Sequence, residues 1–124
     1  QEPAALARAI VEAQALSMQR HSAFIGEQPK LIRVTGGAAK NRGILQVLAD
    51  VFGAEIHTLS VANASALGGA LRAAEAVGKV PFDSLYQAFA ATDASRAVAP
   101  RASATACYGE LREKLVARLD ALSA

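Results

Sequence analysis

Leu31-Ile32-Arg33-Val34-Thr35-Gly36-Gly37-Ala38-Ala39-Lys40-Asn41-Arg42 joins a short aliphatic and β-branched run to a double glycine and then to the start of a helical pattern. Leu31 to Thr35, flanked by Pro29 and Gly36, reads as a buried strand of a parallel sheet. Ligands of open α/β sheets gather beyond the carboxyl ends of the strands, which is where such a turn sits. Glycine carries no Cβ, so the peptide plane at Gly36-Gly37 can lie against a flat ligand such as a nucleotide. The following helix start offers free N–H groups and a partial positive charge, which favours a polyanion nearby. Two glycines also make a plain strand-to-helix turn, and Asn41 can cap the helix through its side-chain oxygen. The turn alone leaves both readings open.

Outward from this stretch, helices and strands alternate. Asn41 to Phe52 places Ile44, Val47, Leu48, Val51 and Phe52 on one face, with Gly53 as C-cap. Glu55 to Leu59 reads as a second strand. Asn63 or Ser65 can cap a third helix carrying Leu67, Ala70, Leu71, Ala74 and Val77, closed by Gly78 and Pro81. Upstream, Ala4 to Ile25 has helical spacing, with Pro3 in the first turn and Gly26 and Pro29 as the stop. Downstream, helices are expected over Phe82 to Ala91 and Ser103 to Leu122, the latter through Tyr108, Leu111, Leu115, Leu119 and Leu122. Thr92 to Ala102, with Pro100, reads as a connector. The order contains one right-handed βαβ crossover. Two parallel strands are marginal by themselves, so more strands are expected upstream or from a partner.

Composition excludes several classes. A chain of 124 residues holds one domain, and 52% hydrophobic content with 19% charge describes a folded unit. Aromatic residues are 5% and Trp is absent, so Ala, Leu and Val must fill the core. No apolar run is long enough to span a bilayer. Thirteen basic and 11 acidic residues are interspersed, without the basic stripe of a nucleic-acid binder. The single Cys107 rules out an internal disulfide and fits a reducing, cytoplasmic compartment. The start at Gln1, without Met or a leader pattern, reads as a cut from a longer protein.

Thr35-Gly36-Gly37-Ala38-Ala39-Lys40-Asn41 through Ala49-Asp50-Val51-Phe52-Gly53, followed by Ser65-Ala66-Leu67-Gly68-Gly69-Ala70, resembles the C-terminal lobe of the FGGY carbohydrate kinases, nearest the xylulokinase branch. The ordered set over Leu31 to Gly78 carries the resemblance; the flanking helices share only the pattern. The resemblance implies an α/β fold: part of an actin-like ATPase (ribonuclease H-like) lobe, with a βαβ unit, helices on both faces and a C-terminal helical extension over 79–124. Residues 1–124 would be the C-terminal portion of the second, adenosine-binding lobe. ATP and a sugar would lie between two lobes, with Gly36 and Gly37 along the nucleoside, Ala38 lining the same pocket and Asn41 reaching the adenine. ATP and Mg²⁺ are the implied cofactors, the metal held mainly outside this chain. The catalytic carboxylate, the sugar contacts and the phosphate hairpins would also lie outside it. The chain is then expected to pack against the rest of the kinase or a second copy, with no nucleic-acid or membrane partner. Other substrates of the family, such as glycerol, ribulose or gluconate, remain alternatives. So does a non-catalytic regulatory or structural module of the same fold. Gly68-Gly69-Ala70 departs from the commoner Gly-Ala-Ala of the family.

The remaining candidates carry bland readings. Asp50, at a helix C-terminus where a carboxylate is disfavoured, reads as a paired or capping residue. His21 and His57 have no ligand-type neighbours at metal spacing. Cys107 reads as a core thiol, and Lys40 and Arg42 as solvated helix-start residues. Gly68-Gly69 reads as a site of close helix packing.

Overall fold

The computed structural model describes residues 2–59, 61, 63–90 and 92–123, with Asp93 and Ser123 described by their backbone alone. Five α-helices and three strands follow in the order α1 (Pro3–Ser22), β1 (Leu31–Val34), α2 (Arg42–Phe52), β2 (Glu55–Leu59), α3 (Ala64–Gly78), α4 (Phe82–Phe89), β3 (Thr92–Val98) and α5 (Ala102–Ser123). One-turn 3₁₀ helices occupy Ala23–Ile25 and Gly37–Lys40.

β1 and β2 pair in parallel from Leu31 opposite Glu55 to Val34 opposite Thr58, as a βαβ unit requires. β3 is the principal correction to the sequence reading. The segment expected as a connector is a strand, antiparallel to β2, and completes a sheet of order β1-β2-β3. The stretch 79–124 is therefore not wholly helical, and the third strand comes from the chain itself. Thr92 to Val98 hides as a strand because only Val98 is buried and its other described positions are small or polar. The expected helix end at Ala91 lies outside the described residues, as does Gln1.

α2 is the central element, and its burial follows from two apolar faces. Leu45 and Ala49 pack with Ile56 and Val98 of the sheet, joined by Ile32 and Val34. Val47 and Val51 pack on the other side with Ala15 and Leu16 of α1 and Tyr108 of α5. The layers are thus sheet, α2, then α1 with α5. Gln19 Nε2 donates to Val51 O at 2.8 Å, and Tyr108 O–H donates to Glu12 Oε1 at 2.7 Å, fixing α1 to its neighbours. Gly53, at φ 61°, closes α2 in the left-handed conformation that stops a helix.

The opposite face of the sheet is partly covered, with His57 and Leu59 half-buried. Leu31, Arg33 and Glu55 point away from α2 and are exposed, and α3 and α4 pack chiefly on one another. Gly68 and Gly69 also differ from expectation. An added Cβ at either would meet nothing within 4 Å, so they serve no close helix packing among the described residues. Cys107 is exposed and is not a core thiol. Leu111 and Leu122, two of the residues at helical spacing along α5, are exposed as well.

Candidate functional site

The double glycine lies at the carboxyl end of β1, and the backbone separates its two members. Gly36 has φ 83° and ψ −160°, a region that essentially only glycine occupies. Gly37 has no positive φ and begins the 3₁₀ turn, and a Cβ built on it would meet nothing within 4 Å. Gly36 therefore makes the turn, while Gly37 offers an open backbone surface. Gly36, Gly37, Ala38 and Asn41 are all exposed.

Asn41 is the N-cap of α2. Its Oδ1 accepts from Gly43 N–H at 2.9 Å and from Ile44 N–H at 3.2 Å. Two of the orphan N–H groups of the helix start are thereby satisfied. The capping alternative is thus present in the structure, and it uses the oxygen alone. The side-chain amide N–H₂ has no partner among the described residues, which leaves two donors at the helix start. An added Cβ on Gly43 would lie 3.2 Å from Oδ1, so the glycine after Arg42 keeps room for the cap.

Two clefts flank the turn. A smaller one of about 130 Å³ lies beyond β1 and β2 and is bordered by Thr35, Gly36, Lys40, Thr58 and Arg96. A larger one of about 710 Å³ runs between α1 and β1, with Val11, Met18, Ile32, Ile44 and Phe52 among its walls. Ala38 borders the larger cleft and Gly36 the smaller, while Gly37 and Asn41 border neither. The four residues are contiguous at one sheet end, but within this chain they do not close around a single pocket.

Asp50 is fully buried and held from several sides. Its Oδ1 accepts from the Arg101 backbone N–H at 2.8 Å and from Gln46 Nε2 at 3.0 Å; its Oδ2 accepts from Arg101 Nη2 at 2.6 Å and Nε at 3.1 Å. Burial by itself would raise the carboxyl pKa, but these hydrogen bonds from Arg101 and Gln46 outweigh it and hold the group below its ordinary value. The reading of Asp50 as a paired residue agrees with this geometry. His57 Nε2 lies 2.9 Å from Glu55 Oε1, and its Nδ1 lies 3.4 Å from Thr92 Oγ1.

Sequence reasoning missed Thr58 and Arg96 and set Lys40 aside. Arg96 reaches the strand ends because β3 carries extra residues where the pairing jumps from Thr58 opposite Asp93 to Ile56 opposite Val98. Such irregularities re-aim side chains beside functional sites. No periodicity marks them, and a segment read as a connector offers no register from which to place an arginine.

Three comparisons with known proteins bear on the family and the fold. Residues 1–77 match the family model for the C-terminal domain of the FGGY family of carbohydrate kinases. The chain is 44% identical over 69 residues to xylulose kinase of Rattus norvegicus, covering 53% of this chain and 13% of that protein. Gluconate kinase from Lactobacillus acidophilus superposes with a TM-score of 0.82 at 26% identity, covering 96% of this chain and 24% of that one. Ligand-bound xylulose kinase from the same organism superposes with a TM-score of 0.83 at 24% identity over the same shares, a likeness that shows the fold alone. The chain spans only a minor part of each of these proteins. Among the described residues, no helix is long and apolar enough to cross a membrane.

Proposed function

We propose, since this chain belongs to the FGGY family of carbohydrate kinases through its C-terminal domain, that it supplies the adenosine side of the ATP site of a xylulokinase-like enzyme. The parent reaction is transfer of the ATP γ-phosphoryl group to a sugar hydroxyl. The observation that carries the reading is the exposed turn at the end of β1, where Gly36 bends the chain, Gly37 leaves the backbone open and Asn41 keeps two donors. Gly36 and Gly37 would run along the nucleoside, with Ala38 beside them and the Asn41 amide on the adenine edge. Mg²⁺, when bound, neutralises the phosphates, and its ligands and the catalytic base belong to the remainder of the kinase. That remainder packs against this chain, in the cytoplasm, and carries the sugar. The likeness to gluconate kinase supports a second reading, in which the substrate is a different sugar or sugar acid.

The test is at Asn41 in the whole kinase. Asn41→Asp keeps the capping oxygen and removes the donors, whereas Asn41→Ala removes both. A neutral hydrogen bond contributes about 0.5–1.5 kcal/mol, so loss of the donor should raise KM for ATP roughly 2- to 13-fold, with KM for the sugar nearly constant. Asn41→Ala should show the same ATP effect and a lower Tm. If both variants use ATP like the wild type, Asn41 is a cap alone and the nucleoside seat is elsewhere.

A further inference from the structure

The smaller cleft, at the carboxyl ends of β1 and β2, has features the fold does not require. Thr58 is 2% exposed, and its Oγ1 is buried without a hydrogen-bond partner among the described residues. A hydroxyl can donate once and accept twice, and buried polar groups are nearly always satisfied. Lys40 and Arg96, which border the same cleft, are exposed and form neither an ion pair nor a hydrogen bond among the described residues. Arg8, Arg20, Arg72 and Arg101 each face a carboxylate. No acidic residue borders the cleft among the described residues.

We propose that this cleft is a phosphate-binding subsite, with the Thr58 hydroxyl as donor at its floor and Lys40 and Arg96 as its charged walls. Drug-sized ligands need pockets of roughly 300 Å³ or more. A cleft of about 130 Å³ suits a single phosphate group and not a nucleoside. An oxyanion entering between the two cations gives the isolated hydroxyl an acceptor, and the arginine fork can bind two oxygens at once. Gly36 belongs to both this cleft and the proposed nucleoside seat, so the source of the phosphate rests on that reading: a nucleotide supplies it if the seat is real, and free phosphate does if not.

The experiment is an NMR titration of the 124-residue chain with inorganic phosphate, with adenosine and with ADP, at ionic strength matched by sodium chloride. Phosphate should shift the amides of Lys40, Thr58 and Arg96 saturably. Lys40→Gln and Arg96→Gln, both at exposed positions, should each weaken that binding at least fivefold. Thr58→Val should also weaken it at least fivefold and should raise Tm, because it removes an unpaired buried hydroxyl; a merely structural hydroxyl would give a lower Tm. Non-saturating shifts, or equal affinity in Lys40→Gln and Arg96→Gln, overturn the subsite whatever adenosine does. Phosphate binding without adenosine binding keeps the subsite and removes the nucleoside seat. ADP binding more tightly than either component supports both.

Discussion

Gly36 and Gly37 are chemically identical neighbours with different tasks. At Gly36 the φ of 83° with ψ −160° penalises any side chain, so Gly36→Ala should cost about 1–3 kcal/mol and lower Tm. Gly37 carries no such restriction and faces open space, so Gly37→Ala should leave Tm nearly unchanged. In the whole kinase, Gly37→Ala should nevertheless weaken ATP binding, because its methyl enters the space assigned to the nucleoside. Thermal unfolding and nucleotide Kd, measured on the same two variants, check the division of labour. A Tm loss at Gly37, or an unchanged Kd there, contradicts it. The sequence shows that glycines are needed at this turn, but not which one is needed for its backbone and which for its lack of bulk. That distinction lives in φ and ψ, which neighbouring residues do not spell out.

At the scale of elements, the βαβ unit was legible because periodicity and turn chemistry agree along Leu31 to Leu59. Aliphatic and β-branched residues make the strands, Asn41 caps the helix, and Gly53 ends it. β3 was not legible, because its pairing partner lies more than 30 residues away and its own side chains are small or polar. The same remoteness concealed the clasp that holds β3 and α5 in place. Asp50 and Gln46, one turn apart on α2, grip the β3–α5 link at Arg101 and at the Ala99 carbonyl, which accepts from Gln46 Nε2 at 3.1 Å. An aspartate near a helix C-terminus looks unfavourable until Arg101 is brought to it. Asp50→Asn keeps the shape and removes the charge. Hydrogen bonds to charged groups contribute about 1.5–3 kcal/mol, so a destabilisation of that order is expected. The pH dependence has a definite sign. A carboxyl with a lowered folded-state pKa gives stability that is fully present above its unfolded value, about 3.9, and is lost as pH falls through the lower folded value. Wild-type stability should therefore fall on acidification through that window, and Asp50→Asn should flatten the fall. Denaturant unfolding at a series of pH values measures both slopes, and parallel slopes would show that the clasp is not what titrates.

For the whole molecule, what one sheet end can do alone limits the chemistry. α1 exposes Leu6, Ile10 and Met18, and one face of the sheet is bare at Leu31, Arg33 and Glu55. The exposed apolar side chains among these, on α1 and at Leu31, are of the kind expected where further chain packs. Rate enhancement in phosphoryl transfer comes from metal, phosphate donors and base held in register around the transferring group. The site here presents a turn, a cap and two cations unpaired among the described residues, which in the proposed function would bind and orient one end of a nucleotide. They cannot place a nucleophile in line with it. The 124-residue chain with ATP, Mg²⁺ and xylulose should therefore release ADP at no more than the buffer rate, while still binding nucleotide weakly through the β1 turn. Measuring both on one preparation separates the two halves of the claim. Turnover above background would mean that the chain holds the catalytic groups assigned to the remainder of the kinase. Absence of both turnover and binding, in a sample whose cooperative unfolding shows that it is folded, would mean that the nucleoside seat exists only when the other lobe closes on it.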